Sequence, residues 1–272
     1  MQVLLTNDDG IQADGLQALR RELVGRDGVE VAVVAPDGNR SAMGRSITTR
    51  RPLWVEEIDF GDGTVGYATD GTPVDCVRLA LSLIDNFTPA VIISGINHGA
   101  NLGDDITYSG TVAAALEGIV LGLPAIAVSQ QSAAREMDFR FGDQFDFSNA
   151  ARFVAGIVDE LDDFPLAEGT LLNINVPAGE PNGVEVTRLG KRIYRDRLEL
   201  HGEEGNRRRY WIYGGEHGYH HEEGTDLAAV ASGRIAVTPV HFDLTDAAGM
   251  DALSKHDLER LVGPAAEDLE QT

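Results

Sequence analysis

Residues 2–36, QVLLTNDDGIQADGLQALRRELVGRDGVEVAVVAP, hold the pattern that decides the fold. QVLLT is a short apolar run that predicts a strand, DGLQALRRELV has the spacing of an amphipathic helix, and VEVAVVAP is typical of a buried strand. The alternation continues through PVDCVRLALSLI, PAVIISG, SGTVAAALEGIVLG, PAIAVS, DFSNAARFVAGIVDEL and GTLLNINVP. Because apolar strands that alternate with helices build parallel sheets covered on both faces, we predict an α/β, Rossmann-like fold whose mostly parallel sheet is sandwiched by helices.

The character of the sequence changes between Gly190 and Gly224. This segment is rich in charged residues, aromatic residues and glycine, and its alternation predicts a protruding β-hairpin arm. Such an arm buries little of itself, so we expect it to pack on another subunit or to fold over the core. We therefore predict an α/β core at 1–189, an extended hairpin or oligomerisation arm at 190–224, and a C-terminal segment at 225–272 that returns to the core and ends in a helix around DALSKHDLERLV.

The charge balance excludes several classes of partner. The 272 residues include 44 acidic and 22 basic ones, for a formal net charge of -22, and the lysines are Lys191 and Lys255. A field of this sign repels nucleic-acid backbones and anionic membrane surfaces, so we expect neither as a partner. The diffuse acidic surface suits a salt-rich cytosol, where screening removes self-repulsion; an acidic protein of an ordinary cell is the alternative. Since the chain has one cysteine, opens directly into a strand and has no apolar run long enough to cross a bilayer, we predict a cytoplasmic protein.

Two adjacent carboxylates, Asp8 and Asp9, stand where the first strand ends. Neighbouring negative charges repel each other unless a positive charge lies between them. In open parallel sheets, ligands bind at the carboxyl ends of the strands, where this pair lies. Carboxylates at such a place favour a hard divalent cation, Mg²⁺ or Mn²⁺. The alternative is that one of the two caps the following helix and the other is solvated.

The loop SGINHGANLGDDITYSGT, residues 94–111, is the second candidate for chemistry. Its glycines allow the backbone to approach a ligand closely, and Ser109 and Thr111 open a helix whose free N–H groups favour an anion such as phosphate. The alternative is a structural turn followed by an ordinary helix N-cap. Neither the P-loop pattern nor the dinucleotide-binding glycine fingerprint is present, so nucleoside triphosphate and dinucleotide sites have no support.

Six sequence blocks carry a resemblance to a known family. LLTNDDG, APDGNRSAMGRSIT, GTPVDCV, SGINHGANLGDDITYSGTVAAALEG, LNINVP and VTPVHFDLT occur in this order between Leu4 and Thr245. Together they resemble the SurE family of survival-protein nucleotidases, and the long fourth block is the most specific of them.

The resemblance implies a metal-dependent phosphomonoesterase, a 5′-nucleotidase that releases phosphate from nucleoside 5′-monophosphates and in some cases 3′-monophosphates. It implies one divalent cation per subunit, with Mg²⁺ or Mn²⁺ expected, and a homodimer or homotetramer that forms by exchange of C-terminal segments. The metal ligands it implies are Asp8, Asp9, Ser41 and Asn97. The residues it implies for substrate and phosphate binding are Asn97, Asn101, Ser109, Gly110 and Thr111.

On this basis we expect the cation to polarise a phosphoryl oxygen and to activate a bound water that attacks phosphorus in line. Asp9 is the candidate that orients or deprotonates the water, and Asp8 is mainly a ligand. After Ser41 this chain has Ala42, Met43 and Gly44, where many relatives have Gly-x-Ser. We therefore expect Ser46 or the backbone to make the contact that the serine of that pattern makes in relatives.

Two other classes of function stay open at this point. Phosphoaspartyl chemistry needs a second aspartate two residues after the nucleophile and a downstream lysine, whereas here the acids are adjacent and lysine is nearly absent. A nucleotide- or metal-binding module without turnover is the non-enzymatic alternative, and it predicts tight binding with no phosphate release.

Overall fold

The computed structural model describes residues 1–137, 144–193, 198–212 and 218–262. Its strands are β1 (Gln2–Thr6), β2 (Glu30–Pro36), β3 (Val55–Asp59), β4 (Val65–Thr69), β5 (Val91–His98), β6 (Ala125–Gln130), β7 (Thr170–Val176), β8 (Val184–Val186), β9 (Arg192–Ile193), β10 (Glu199–Glu204), β11 (Arg207–Trp211), β12 (Gly218–Tyr219) and β13 (Ile235–His241). The α-helices are α1 (Asp14–Val24), α2 (Pro73–Leu83), α3 (Gly110–Val120), α4 (Ser148–Asp159), α5 (Asp226–Ala231) and α6 (Ala247–Ser254). The chain divides into two units, Met1–His241 and Phe242–Thr272.

The first unit is built on a nine-stranded sheet with the order β3-β4-β2-β1-β5-β6-β7-β13-β8. The six strands from β4 to β7 in this order run parallel to one another. The strand β3 runs antiparallel to β4, and β13 runs antiparallel to β7. The mostly parallel sheet predicted from the sequence is therefore confirmed.

Helices cover both faces of this sheet. Successive side chains of a strand point to opposite faces, and in β1 Val3 and Leu5 pack in one core cluster with α1 and α4, whereas Leu4 packs in a second cluster with α2 and α3. All three side chains are fully buried. Each such side chain contributes about 1.5–3 kcal/mol relative to an exposed one. The prediction of a sheet sandwiched by helices is confirmed.

Two elements differ in extent from the pattern read in the sequence. The strand β5 continues past Gly95 to His98, so three residues that the sequence assigned to the loop belong to the sheet. The last helix begins earlier than predicted, because the Asp246 side chain accepts a hydrogen bond from the Ala248 N–H and caps α6. It ends at Ser254, and a separate short 3₁₀ turn follows at Glu259–Leu261.

The predicted arm contains two pieces of antiparallel structure. The strands β10 and β11 form a hairpin whose turn is Gly205–Asn206, with Gly205 at φ +61. A second pair, β9 with β12, lies between the hairpin and the core strands in sequence. Nearly all hairpin residues are exposed, as expected for a protruding arm. Residues 194–197 and 213–217 of the predicted arm and 263–272 of the C-terminal segment lie outside the described residues.

No helix among residues 1–137, 144–193, 198–212 and 218–262 has the length and apolar composition that a membrane crossing requires.

Candidate functional site

The candidate site lies where the direction of the sheet's connections changes. The strands β1 and β5 are neighbours, but the chain leaves β1 toward β2 on one side and leaves β5 toward β6 on the other. Such a point at the carboxyl ends of parallel strands is where open α/β sheets bind ligands. Asp8 and Asp9 follow the end of β1 after one residue, Asn7, and Asn97 is the penultimate residue of β5. The topology therefore brings together residues almost ninety positions apart.

A cavity of about 20 Å³ lies at this point. Five of the predicted site residues line it, together with Ala42, His98 and Tyr108: they are Asp8, Ser41, Asn97, Asn101 and Ser109. This volume is about that of a single water-sized probe. Ser46 is absent from the described residues that line the cavity, and its contact stays a prediction.

Asp8 is the most buried acid of the cavity, with 3% of its surface exposed. Its Oδ1 accepts a hydrogen bond of 2.5 Å from the Thr111 hydroxyl. Gly110 lies so close that a Cβ at that position would be 2.7 Å from Asp8 Oδ2. Burial, together with the negative charge of Asp9, raises the pKa of Asp8 to about 6, while the Thr111 hydrogen bond opposes the rise. The energetic cost expected for adjacent carboxylates is therefore present in the folded chain.

Asp9 is partly buried beside the cavity and faces the end of β5. Its Oδ2 accepts from the His98 backbone N–H at 3.1 Å, and its Oδ1 accepts from Asn39 Nδ2 at 3.3 Å. Burial raises the pKa of Asp9, and the His98 hydrogen bond opposes this. The next helix, α1, has Ala13 as its N-cap and no side-chain capping bond. The alternative that one of the two aspartates caps this helix is therefore wrong.

The start of α3 supplies hydrogen-bond donors to the same place. Ser109 is the N-cap, and its hydroxyl oxygen accepts from the Val112 N–H at 3.1 Å. The N-cap alternative for this residue is therefore correct, but it does not exclude an anion site. The first N–H groups of a helix have no acceptor within the helix, and the helix dipole favours negative charge beside them. Gly110 and Thr111 carry such groups, next to the Asp8 carboxylate.

Asn101 is held by a buried network that the sequence analysis did not identify. Its backbone N–H donates to Asn175 Oδ1 at 2.8 Å, and its carbonyl oxygen accepts from the side chains of Asn173 and Asn175. Its own amide donates to Ser129 Oγ at 2.8 Å. The sequence contains a signal for this network. Asn173 and Asn175 are two residues apart in the apolar strand LLNINV, so their side chains lie on the same face of the sheet. Since buried amides need hydrogen-bond partners, this pair predicts a polar partner on that face.

Asn97 and His98 complete the wall at the end of β5. Asn97 Nδ2 donates to the Gly99 carbonyl at 2.7 Å, so its remaining polar atom with ligand chemistry is the carbonyl oxygen Oδ1. The His98 ring stacks on Phe145 and Phe147, with centroids 5.2 and 4.9 Å away. Burial lowers the pKa of His98. Its Nε2 accepts a hydrogen bond from the Gly15 backbone N–H, with the two nitrogens 3.4 Å apart. Since an accepting ring nitrogen carries no proton, the His98 ring beside the carboxylates is neutral.

The donor set fits a hard cation. Asp8 and Asp9 offer carboxylate oxygens, Ser41 a hydroxyl oxygen and Asn97 a carbonyl oxygen. Within the described part of the chain no three His, Cys, Asp or Glu side chains are grouped closely enough to hold a metal, so the nitrogen- and sulfur-rich sites typical of zinc do not form there. Oxygen ligands with at most two carboxylates are what Mg²⁺ and Mn²⁺ take.

Comparisons with known proteins show the family of the chain. The family model described as "Survival protein SurE" matches residues 3–196. The 5′-nucleotidase SurE of Rubrobacter xylanophilus is 52% identical over 96% of this chain and 99% of its own length. That of Pelotomaculum thermopropionicum is 46% identical over 94% of this chain and 95% of its own length. The crystal structure of SurE from Aquifex aeolicus, 38% identical, superposes with a TM-score of 0.77 and covers 93% of this chain and 98% of that one. On the matched family model and on these full-length relatives, the chain belongs to the SurE family.

Proposed function

We propose that the chain is a cytoplasmic, divalent-metal-dependent 5′-nucleotidase that releases phosphate from nucleoside 5′-monophosphates. The relatives named as 5′-nucleotidases cover nearly the whole chain. The observation that carries the proposal is the position of Asp8. This residue lies against the start of α3 and accepts a hydrogen bond from the Thr111 hydroxyl. In this proposal, the metal site and the phosphate site share one wall of the cavity.

Asp8, Asp9, Ser41 and Asn97 are the residues that would hold Mg²⁺ or Mn²⁺, through oxygen atoms only. When bound, such an ion polarises a phosphoryl oxygen and lowers the pKa of a coordinated water toward neutrality. In a chain with a net charge of -22, its positive charge also favours an anionic substrate.

The chain's own residues bind and orient the phosphoryl group. The N–H groups of Gly110 and Thr111 at the start of α3 would hold its oxygens and stabilise the charge that develops there. Asn101, fixed by its network, adds an amide at the same wall. Asp9 would orient the attacking water and receive its proton, because its carboxylate lies beside the cavity at the end of β5.

These contacts recognise a phosphate monoester and leave the position of the ester on the ribose open. We therefore extend the proposal to nucleoside 3′-monophosphates, which present the same group to the same residues.

A substrate panel tests the proposal. Phosphate release from 5′-AMP, 5′-GMP and 3′-AMP is measured with Mg²⁺, with Mn²⁺ and with EDTA, for the wild type and for Asp8→Asn, Asp9→Asn and the exposed control Asp27→Asn. We expect the two site variants to lose about a hundredfold to a thousandfold in rate, equivalent to about 3–4 kcal/mol of transition-state stabilisation. The control is expected to match the wild type.

Full turnover in EDTA, or undiminished turnover in both site variants, contradicts the proposal. Tight binding of Mn²⁺ and AMP without phosphate release under any cation supports the binding-module alternative instead.

We also propose that subunits assemble as a homodimer or homotetramer through their C-terminal segments, with residues 190–224 as the arm. The hairpin supports this, because Leu200, Tyr210 and Trp211 are 53%, 42% and 61% exposed. Light scattering coupled to size exclusion, on the full chain and on a Tyr210→Ser and Trp211→Ser double variant, tests the proposal. A monomeric wild type contradicts it.

A further inference from the structure

A glutamate is buried in the middle of α3, the helix whose first turn faces the cavity. The Glu117 side chain is 1% exposed. Its Oε2 lies 2.7 Å from Arg45 Nη2, and its Oε1 forms an ion pair with Arg78. A buried carboxylate is costly unless cations compensate it. Although the chain has twice as many acidic as basic residues, two arginines form ion pairs with this one carboxylate.

The two arginines come from different parts of the fold. Arg78 lies on α2, which packs on the same sheet face as α3. Arg45 lies in the segment 37–54 between β2 and β3, the segment that carries Ser41. The Arg78 pair therefore joins two core helices, whereas the Arg45 pair joins the Ser41 segment to α3.

Ser41 depends on such attachments because its own side chain is exposed. Before it, the Arg40 N–H donates to the Asp8 carbonyl at 2.6 Å. After it, the Gly44 N–H donates to the Tyr108 carbonyl at 3.1 Å, immediately before the start of α3. Arg45 follows directly and makes the charged contact to the same helix.

We propose that Arg45 is a positioning residue for the metal site. Its ion pair with Glu117 holds residues 40–45 against α3, so that the Ser41 hydroxyl lies in one cavity with Asp8 and Asn97. The inference rests on the proposed function, since the divalent cation is the group for which Ser41 is positioned. Arg45 acts through Ser41 and does not line the cavity itself among the described residues.

Manganese binding tests this directly. The dissociation constant for Mn²⁺ is measured by electron paramagnetic resonance, without nucleotide, for the wild type and for Arg45→Ala, Arg45→Lys and Arg78→Ala. Removing a residue that orients a metal ligand typically weakens metal affinity about 10- to 100-fold, and we expect this for Arg45→Ala. Arg78→Ala loses a pair to the same carboxylate but leaves the Ser41 segment attached, so we expect a change of less than about twofold by the same reasoning.

Two further readouts separate positioning from general stability. In Arg45→Ala, the Mn²⁺ concentration for half-maximal phosphate release should rise, while kcat at saturating Mn²⁺ changes little. Arg45→Lys keeps the positive charge, so its affinity for Mn²⁺ should lie between those of Arg45→Ala and the wild type. In a Glu117→Gln background, Arg45→Ala should weaken binding by a smaller factor than it does alone, because the charge of the pair has already been removed.

The inference is overturned if Arg45→Ala binds Mn²⁺ like the wild type, or if Arg78→Ala weakens binding as much as Arg45→Ala does. In either case a wild type that binds Mn²⁺ leaves the proposed function intact. A wild type that binds no Mn²⁺ overturns both.

Discussion

The cavity wall and the β10–β11 hairpin use polar residues in opposite ways. At the carboxyl ends of β1, β5 and β7, several polar side chains are buried and held by defined partners, as Asn101 is by Asn175 and Ser129. In the hairpin, charged side chains are exposed, and a pair such as Arg208–Glu203 has side chains 63% and 52% exposed. Buried polar groups lose water and depend on their partners, whereas exposed ones keep it. Polar density alone therefore does not mark a site; burial with defined partners does.

The largest expected effect tests an attachment of the arm's first strand. Arg192 and Asp105 form an ion pair at 2.5 Å with both side chains 2% exposed. Removing Arg192 takes a cation away from a buried carboxylate, so Arg192→Ala should lower the free energy of unfolding by about 3–5 kcal/mol. Urea denaturation measures this. The control is Arg188→Ala, which breaks an exposed pair with Glu222. Equal effects of the two variants would remove the contrast between buried and exposed pairs.

The next effect has the opposite sign and concerns Asp8. Its pKa is raised from 3.8 to about 6, so in the range between them the folded, metal-free chain binds more protons than the unfolded chain. Stability contributed by this group therefore falls as pH rises from about 4 to 6 and stays low above 6. Asp8→Asn removes the penalty and should stabilise the metal-free protein at pH 7.5 by roughly 2–3 kcal/mol.

Thermal or urea unfolding in EDTA, from pH 4 to 8, measures the difference between Asp8→Asn and the wild type. It should shrink as the pH falls below 6. If Asp8→Asn is less stable than the wild type at pH 7.5 without metal, the buried Asp8 carboxylate does not destabilise the metal-free protein.

A smaller loss is expected at the asparagine network. Asn175→Ala leaves the buried N–H of Asn101 without its acceptor, which should cost about 1–3 kcal/mol. Because Asn101 lies in the cavity wall, the rate of phosphate release should also fall. Asn182→Ala, an exposed asparagine that donates to the Ser232 carbonyl, is the matched control. A stability loss with an unchanged rate would mean that Asn101 does not contact the substrate.

The smallest effect is expected in the hairpin. Arg208→Ala breaks an exposed ion pair, so the free energy of unfolding should change by less than about 1 kcal/mol. Phosphate release should match the wild type, since the hairpin supplies none of the described residues of the cavity wall. A loss above that limit would show that Arg208 is buried in the assembled protein.

The prediction from sequence succeeded where local pattern and burial agree. The alternation in residues 2–36 indicated strand, helix and strand, and β1, α1 and β2 follow it closely. The family resemblance implied Asp8, Ser41, Asn97, Asn101 and Ser109, and the structure brings these residues to one cavity. The metal and phosphate roles assigned to them stay predictions.

The residues that support the site from outside it could not be predicted from the sequence. Asn175, Glu117 and Arg45 are far apart in the chain, and no one of them by itself indicates a role in the site. Their partners depend on which strands and helices become neighbours, a long-range result of sheet order that local periodicity does not contain. The end of β5 also lies later than the sequence predicts, because Asn97 and His98 are typical of a loop and become strand residues only when their backbone pairs with β6.

By itself, the sequence determined the periodicity of each element, the acidic balance and the identity of the oxygen donors, since these are properties of neighbouring residues and of composition. Only the tertiary structure decided that Asp8 is buried against Gly110, that Asn101 is held from β7, and that Arg45 reaches a buried carboxylate. The physical reason is that burial and pairing arise when distant segments exclude water together, and these two effects turn ordinary polar residues into a site.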